Sequence, residues 1–219
     1  MRTKALLGLA ALAVGLSTSM AQNVYSLNVV GYVNVAVGSG YTLVANQLNN
    51  GTNGINQVLA GAPDSALVLT FKNNDYNSDL AQGGAWFDAN TALPSTTTLP
   101  PGKGFFYNNP GAAGTITLVG EVPQGAGVIP LPAGYALIGT YTPQALELSA
   151  TNNFPMVDGT LFLKYDTTKH DYVTDIINGG AWYDANTAVL VSVIPAVGQG
   201  YFINNPGAAT TWTHNFTVQ

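Results

Sequence analysis

The chain of 219 residues contains no cysteine, which excludes a disulfide framework, a thiolate metal site, a cysteine nucleophile and a lipid attached through a cysteine at a cleavage site. It has only two histidines, His170 and His214, and they lack the close spacing of zinc ligands. Charge is scarce: 8% of residues are charged, where about a quarter is usual. Positive charge is scarcest of all, with 6 Lys and Arg against 11 Asp and Glu. A surface so poor in cations cannot neutralise phosphates, so nucleic acid is excluded as a partner. No apolar run reaches the roughly 20 residues of a membrane-spanning helix.

The longest apolar run is Ala5 to Leu16, and its flanks give it a meaning. Arg2 and Lys4 precede it, and Ser19 and Ala21 supply small residues at a cleavage position, so residues 1–21 read as a signal peptide. The mature chain is expected to begin at Gln22 and to be secreted or held at the cell surface. It retains four lysines, Lys72, Lys103, Lys164 and Lys169, against 11 acidic residues, a net charge of −7.

What the chain does have is itself, twice. Gly83-Gly84-Ala85-Trp86-Phe87-Asp88-Ala89-Asn90-Thr91-Ala92 returns 96 residues later as Gly179-Gly180-Ala181-Trp182-Tyr183-Asp184-Ala185-Asn186-Thr187-Ala188. The register continues into Gly102-Lys103-Gly104-Phe105-Phe106 and Gly198-Gln199-Gly200-Tyr201-Phe202. Upstream, Tyr41 to Ala45 matches Tyr135 to Gly139, and Leu67 to Phe71 matches Leu161 to Tyr165, at an offset of 94. A hairpin two residues longer in the second copy reconciles the offsets, as loop tips tolerate insertion. The expected organisation is therefore a signal peptide over 1–21, a first domain over 22–122 and a second over 123–219. Pro123-Gln124-Gly125-Ala126-Gly127 serves as a linker, and Val24 to Tyr32 has no counterpart and reads as an extra edge strand.

Short β-branched and aromatic runs bounded by Gly, Asn and Pro predict six or seven strands per copy. Ile55 to Leu59 and Ala145 to Ser149 predict single helical turns. Asn109-Pro110-Gly111 and Asn205-Pro206-Gly207 predict type II turns, with positive φ at the glycine. The glycines around Phe105 and Tyr201 predict a bulge or a close backbone approach. The fold class is all-β: two tandem homologous domains of about 95 residues, each a β-sandwich or a compact barrel.

Gly40-Tyr41-Thr42-Leu43-Val44-Ala45-Asn46 with Pro101-Gly102-Lys103-Gly104-Phe105-Phe106 resembles a β-module of secreted bacterial surface proteins. The pattern is Gly-aromatic-x-Leu-Ile-x-Asn, then Pro-Gly-Gln/Lys-Gly-Phe-Phe. Together with Val24 to Val35 and Val119 to Gly125, the chain is similar to uncharacterised exported proteins carrying that module. The second copy departs at Gly139, in place of Asn, and at Val197, in place of Pro. The resemblance implies a fold and an address, and no active site.

Three chemistries compete with structural roles for the repeated residues. Asp75/Asp171, Asp79/Asp175 and Asp88/Asp184 lie near Trp86 and Trp182, a combination that suits sugar binding or, with two carboxylates, glycoside cleavage. The same Asp and Asn residues also suit turns that cap their own backbone. Asp88-x-Asn90 and Asp184-x-Asn186 place oxygen ligands at alternate positions, as calcium loops do, without the Gly and Glu of an EF-type loop. Trp86 and Trp182 read either as core plugs whose N–H finds a carbonyl or as exposed sugar platforms. A serine-triad enzyme finds no Gly-x-Ser-x-Gly elbow.

The function expected is that of an exported, non-enzymatic surface or extracellular structural or interaction protein that works through interaction or self-assembly. Its partners are other surface proteins, itself or polysaccharide. The alternative is a carbohydrate-binding module using Trp86, Asp88, Asn90, Trp182, Asp184 and Asn186, with glycoside-active chemistry third. The only cofactor the pattern suggests is calcium, at Asp88, Asn90, Asp184 and Asn186.

Overall fold

A computed structural model describes residues 29–218. The expected signal peptide over residues 1–21 and Val24 to Asn28 lie outside the described residues. The chain is all-β, and among the described residues each copy contributes seven strands. The first copy runs β1 (Val30–Val37), β2 (Gly40–Ala45), β3 (Leu67–Lys72), β4 (Asp75–Gln82), β5 (Ala85–Asp88), β6 (Gly104–Asn109) and β7 (Gly114–Glu121). The second runs β8 (Gly125–Leu131), β9 (Gly134–Ile138), β10 (Leu161–Asp166), β11 (Asp171–Asn178), β12 (Ala181–Asp184), β13 (Tyr201–Asn205) and β14 (Thr210–Phe216).

In each copy the first and last strands form an antiparallel ribbon, β1·β7 or β8·β14. The other five form an antiparallel sheet, ordered β2-β6-β3-β4-β5 and β9-β13-β10-β11-β12. Ribbon and sheet close on each other as a sandwich because their strands alternate. Val33, Val35, Val37 and Leu118 of the ribbon point inward to Val44, Val68, Trp86, Phe105 and Tyr107 of the sheet. In the second copy Ile129, Leu131 and Trp212 meet Ile138, Phe162, Trp182, Tyr201 and Ile203. The outward positions of β1 are Val30, Tyr32, Asn34 and Ala36, all exposed.

β6 and β13 break this alternation, and the reason places the copies. Phe105 and Tyr107 enter the core of the first sandwich, while Phe106 on the other face is also buried. Phe106 joins Leu43, Leu137 and Phe202 in a third cluster that lies between the copies. Phe106 meets Tyr165 edge-on at 5.6 Å, and Phe71 meets Phe202 at 5.1 Å. The two five-stranded sheets therefore pack through their outer faces, burying aromatic residues that a lone copy would expose.

That contact is self-complementary, as a two-fold interface is. Val44 bridges Gln199, and the corresponding Ile138 bridges Lys103. The Ala45 N–H donates to Gly198 O at 2.9 Å, and the Gly139 N–H donates to Gly102 O at 3.0 Å. The Gly-x-Gly motifs make the approach possible. A Cβ on Gly104 would stand 2.8 Å from the Ile138 backbone, and one on Gly200 2.5 Å from Val44 O. The paired glycines thus mark a close backbone approach between copies.

Several expectations change. The linker shrinks, because β8 begins at Gly125: the residues expected to be loose pair with β14, and Gly127 packs beneath the Tyr141 ring. β8 is the counterpart of β1, so Gly31 and Tyr32 correspond to Gly125 and Ala126; of the expected extra edge strand, the described residues Val30 to Tyr32 belong to the ordinary first strand of the fold. Thr140, not Gly139, stands where Asn46 does; Gly139 is the counterpart of Ala45. The first helical turn is α1 (Ile55–Val58), but the second copy places its 3-10 turn at Ala150–Asn152, beyond Ser149. Gly111 and Gly207 do not adopt positive φ, so the turns are not type II. The Asn109 side chain shapes the first instead, accepting the Gly111 N–H at 3.1 Å and donating to Ala112 O at 2.7 Å.

Candidate functional site

The repeated Trp block begins at the β4–β5 and β11–β12 hairpins, where Gly83-Gly84 and Gly179-Gly180 take positive φ. β5 and β12 then alternate, so Trp86 and Trp182 turn inward and Phe87 and Tyr183 do not. Trp86 is 2% exposed and Trp182 4%. Their indole N–H groups donate to Leu59 O at 3.2 Å and Leu148 O at 2.6 Å. Trp212 is buried likewise, donating to Asn152 O at 2.9 Å. Trp86 and Trp182 are core plugs, and neither ring face is open for a sugar to stack upon.

Asp88 and Asp184 end those strands and organise the following turn. One Asp88 carboxylate oxygen accepts the Thr91 N–H at 2.8 Å, the Thr91 hydroxyl at 3.0 Å and the Asn90 N–H at 2.9 Å. Asp184 repeats this with Thr187 N–H at 2.7 Å, Thr187 hydroxyl at 2.9 Å and Asn186 N–H at 3.0 Å. Three donors on one oxygen hold both carboxyls below the usual carboxylate range, the Thr91 and Thr187 N–H bonds contributing most. These are self-capping turns. Asn90 and Asn186 participate through their backbone, with side chains in solvent.

The same geometry argues against calcium. A cation needs several oxygens converging on one point. Here Oδ1 of each Asp faces the N–H groups of its own turn. Among the described residues no three His, Cys, Asp or Glu gather where they could hold a metal.

The paired carboxylates sit across strands, Asp79 opposite Asp88 and Asp175 opposite Asp184. Asp79 is 1% exposed, closed off from any sugar ring; its Oδ2 accepts from the Asn77 amide at 3.4 Å and its Oδ1 has no partner among the described residues. Burial, and then the charge of Asp184, push the Asp175 carboxyl above its ordinary range. Asp75 and Asp171 accept the N–H of Tyr76 and Tyr172 at the hairpin ends. His170 lies 3.4 Å from the Tyr165 hydroxyl on one hairpin, and His214 lies on β14. The structure brings neither histidine to a carboxylate pair as part of a triad.

A feature the motifs did not flag lies just beyond β12. Residues 189–191 run antiparallel to it, the Asp184 N–H donating to Val189 O and the Val191 N–H to Trp182 O. Leu190 is thus the non-hydrogen-bonded partner of Tyr183, and its own N–H and C=O point away from the sheet. Val189 is 59% exposed and Leu190 64%. In the first copy Pro94 takes the place of Leu190 against Phe87, and proline has no N–H to offer an incoming strand. The signal was available in the aligned repeats, as Leu93-Pro94-Ser95-Thr96 against Val189-Leu190-Val191-Ser192. No protein-family model, curated protein or solved structure matches this chain.

Proposed function

We propose that the protein is an exported, non-enzymatic surface or extracellular component that works through interaction, and that it associates with itself through the edge at residues 189–192. The observation that carries this reading is the unblocked Leu190 edge beside its blocked counterpart at Pro94. Val189-Leu190-Val191 is β-branched or aliphatic and uncharged, the composition that adds strands to an open edge. Export rests on Arg2, Lys4 and the apolar run that follows. The sugar-platform reading loses its support with the burial of Trp86 and Trp182.

Sedimentation of residues 22–219 over a range of concentrations tests the association. Leu190→Pro copies the first repeat and removes one outward N–H while leaving the bonds to β12 intact. The expected result is concentration-dependent assembly of the parent chain and a folded, monomeric variant. A parent chain that stays monomeric throughout, or a variant that assembles equally well, overturns the reading. N-terminal sequencing of the exported protein checks processing before Gln22.

A further inference from the structure

We infer that the groove between the two copies, floored by Leu137 and Ile138 and walled by Phe71, Tyr135 and Tyr141, binds a small amphipathic carboxylate. The groove has a volume of about 490 Å³, within the roughly 300–1,000 Å³ typical of small-molecule sites. Its lining is mainly apolar, and Tyr135 is 41% exposed, leaving a ring face for a hydrocarbon to cover.

Charge decides the class of ligand. Lys72 and Lys103 both line the groove, and no Asp or Glu does. The chain after its signal peptide has four lysines and 11 acidic residues, so half of its cations meet at this one concavity. The Lys103 ammonium is half-buried and donates to Phe71 O at 3.2 Å. An ammonium carries three N–H donors, so that bond leaves donors for an anion. Burial, and then the charge of Lys72, hold the Lys103 pKa below its ordinary value. The opposite charge of a bound carboxylate offsets both costs, while the hydrocarbon part occupies the apolar wall.

The fold does not itself require this lysine. Gln199 holds the corresponding place in the second copy, where its side chain accepts the Ala196 N–H at 2.8 Å within its own turn. The cation is therefore a property of one groove, not of the repeat.

Calorimetric titration of residues 22–219 with decanoate, below its micelle concentration, tests the inference. Decanol and a short N-acetylated dileucine peptide with a free carboxylate run beside it. Decanoate is expected to bind at least about tenfold more tightly than decanol, and Lys103→Gln to weaken decanoate by about tenfold or more. Affinity is also expected to fall as pH rises through the depressed Lys103 pKa. Nuclear magnetic resonance of isotope-labelled lysine side chains supplies a readout independent of any variant: decanoate should move Lys103 and leave Lys164 and Lys169 in place. Absence of binding, equal affinity for decanol, an unaltered Lys103→Gln variant, an unmoved Lys103 resonance, or binding of the peptide alone overturns the proposal.

Discussion

Replacing Gly139 by alanine tests how the two copies meet. A Cβ built on Gly139 stands 2.1 Å from the Ala45 Cβ and 3.2 Å from Gln199 O. Neither neighbour can step aside cheaply, because both backbones are tied across the interface at 2.9 Å and 3.0 Å. The added methyl must therefore part β2 from β9 and loosen the aromatic cluster behind them. Overpacking of this kind costs about 1–3 kcal/mol, and the pinned backbone places Gly139→Ala toward the upper end. With a urea slope of about 2 kcal/mol/M, the unfolding midpoint should fall by about 1.5 M. Ala45→Gly removes the opposing methyl and should cost about 0.5–1 kcal/mol by itself, as glycine does in a strand. The double variant simply exchanges which side carries the methyl, so it should recover most of the loss, with a coupling energy above about 1 kcal/mol. A harmless Gly139→Ala, or a double variant no more stable than Gly139→Ala alone, would refute this account of the interface.

Trp86→Ala and Trp182→Ala should each cost about 3–5 kcal/mol in denaturant unfolding, as large core truncations do, and the parent tryptophan emission should stay unmoved by soluble polysaccharides. Tyr201 is fully buried, its hydroxyl has no hydrogen-bond partner among the described residues, and its counterpart is Phe105; Tyr201→Phe should therefore be neutral or stabilise the fold by about 1 kcal/mol in the same assay. Burial, then Tyr76 and Tyr165, push the Tyr172 pKa up to about 12. The folded state thus keeps a proton that the unfolded chain releases near pH 10, so stability should fall between about pH 10 and 12 and fall less in Tyr172→Phe, followed by circular dichroism. Asp88 and Asp184 titrate in the opposite sense. Their depressed pKa values stabilise the fold above the ordinary carboxylate pKa and lose that effect as pH falls through the folded values, so a double Asp→Asn variant, whose amide oxygens still accept the turn bonds, should flatten the acid limb of thermal stability.

Much of this was legible in the residues because it depends on local rules. Period-two patterning and the spacing of Gly, Asn and Pro define an all-β chain, and the return of Trp-aromatic-Asp after 96 residues makes it a duplication. Hairpin ends such as Asn73-Asn74, both at positive φ, follow from side-chain chemistry alone. The turns at Gly111 and Gly207 depart from the expected type II geometry because the Asn109 and Asn205 side chains supply bonds that stand in for it. Gly125-Ala126-Gly127 has the composition of a loop, and only its pairing with β14 and the Tyr141 ring above it make it a strand.

The tertiary structure alone decided what depends on the second face of each sheet. Periodicity says that Trp86 and Phe87 point to opposite sides, yet not which side is the core; closure of the β1·β7 ribbon over Trp86 settles that and removes it as a sugar platform. Phe106 and Phe202 would read as surface residues in one copy, and they become core because the copies meet there. Gly139 and Ala45 differ because the same position in both copies meets itself across the dyad, where there is room for only one methyl group. The groove beside Lys103 exists for the same reason: its walls come from both copies, and neither sequence segment contains it alone.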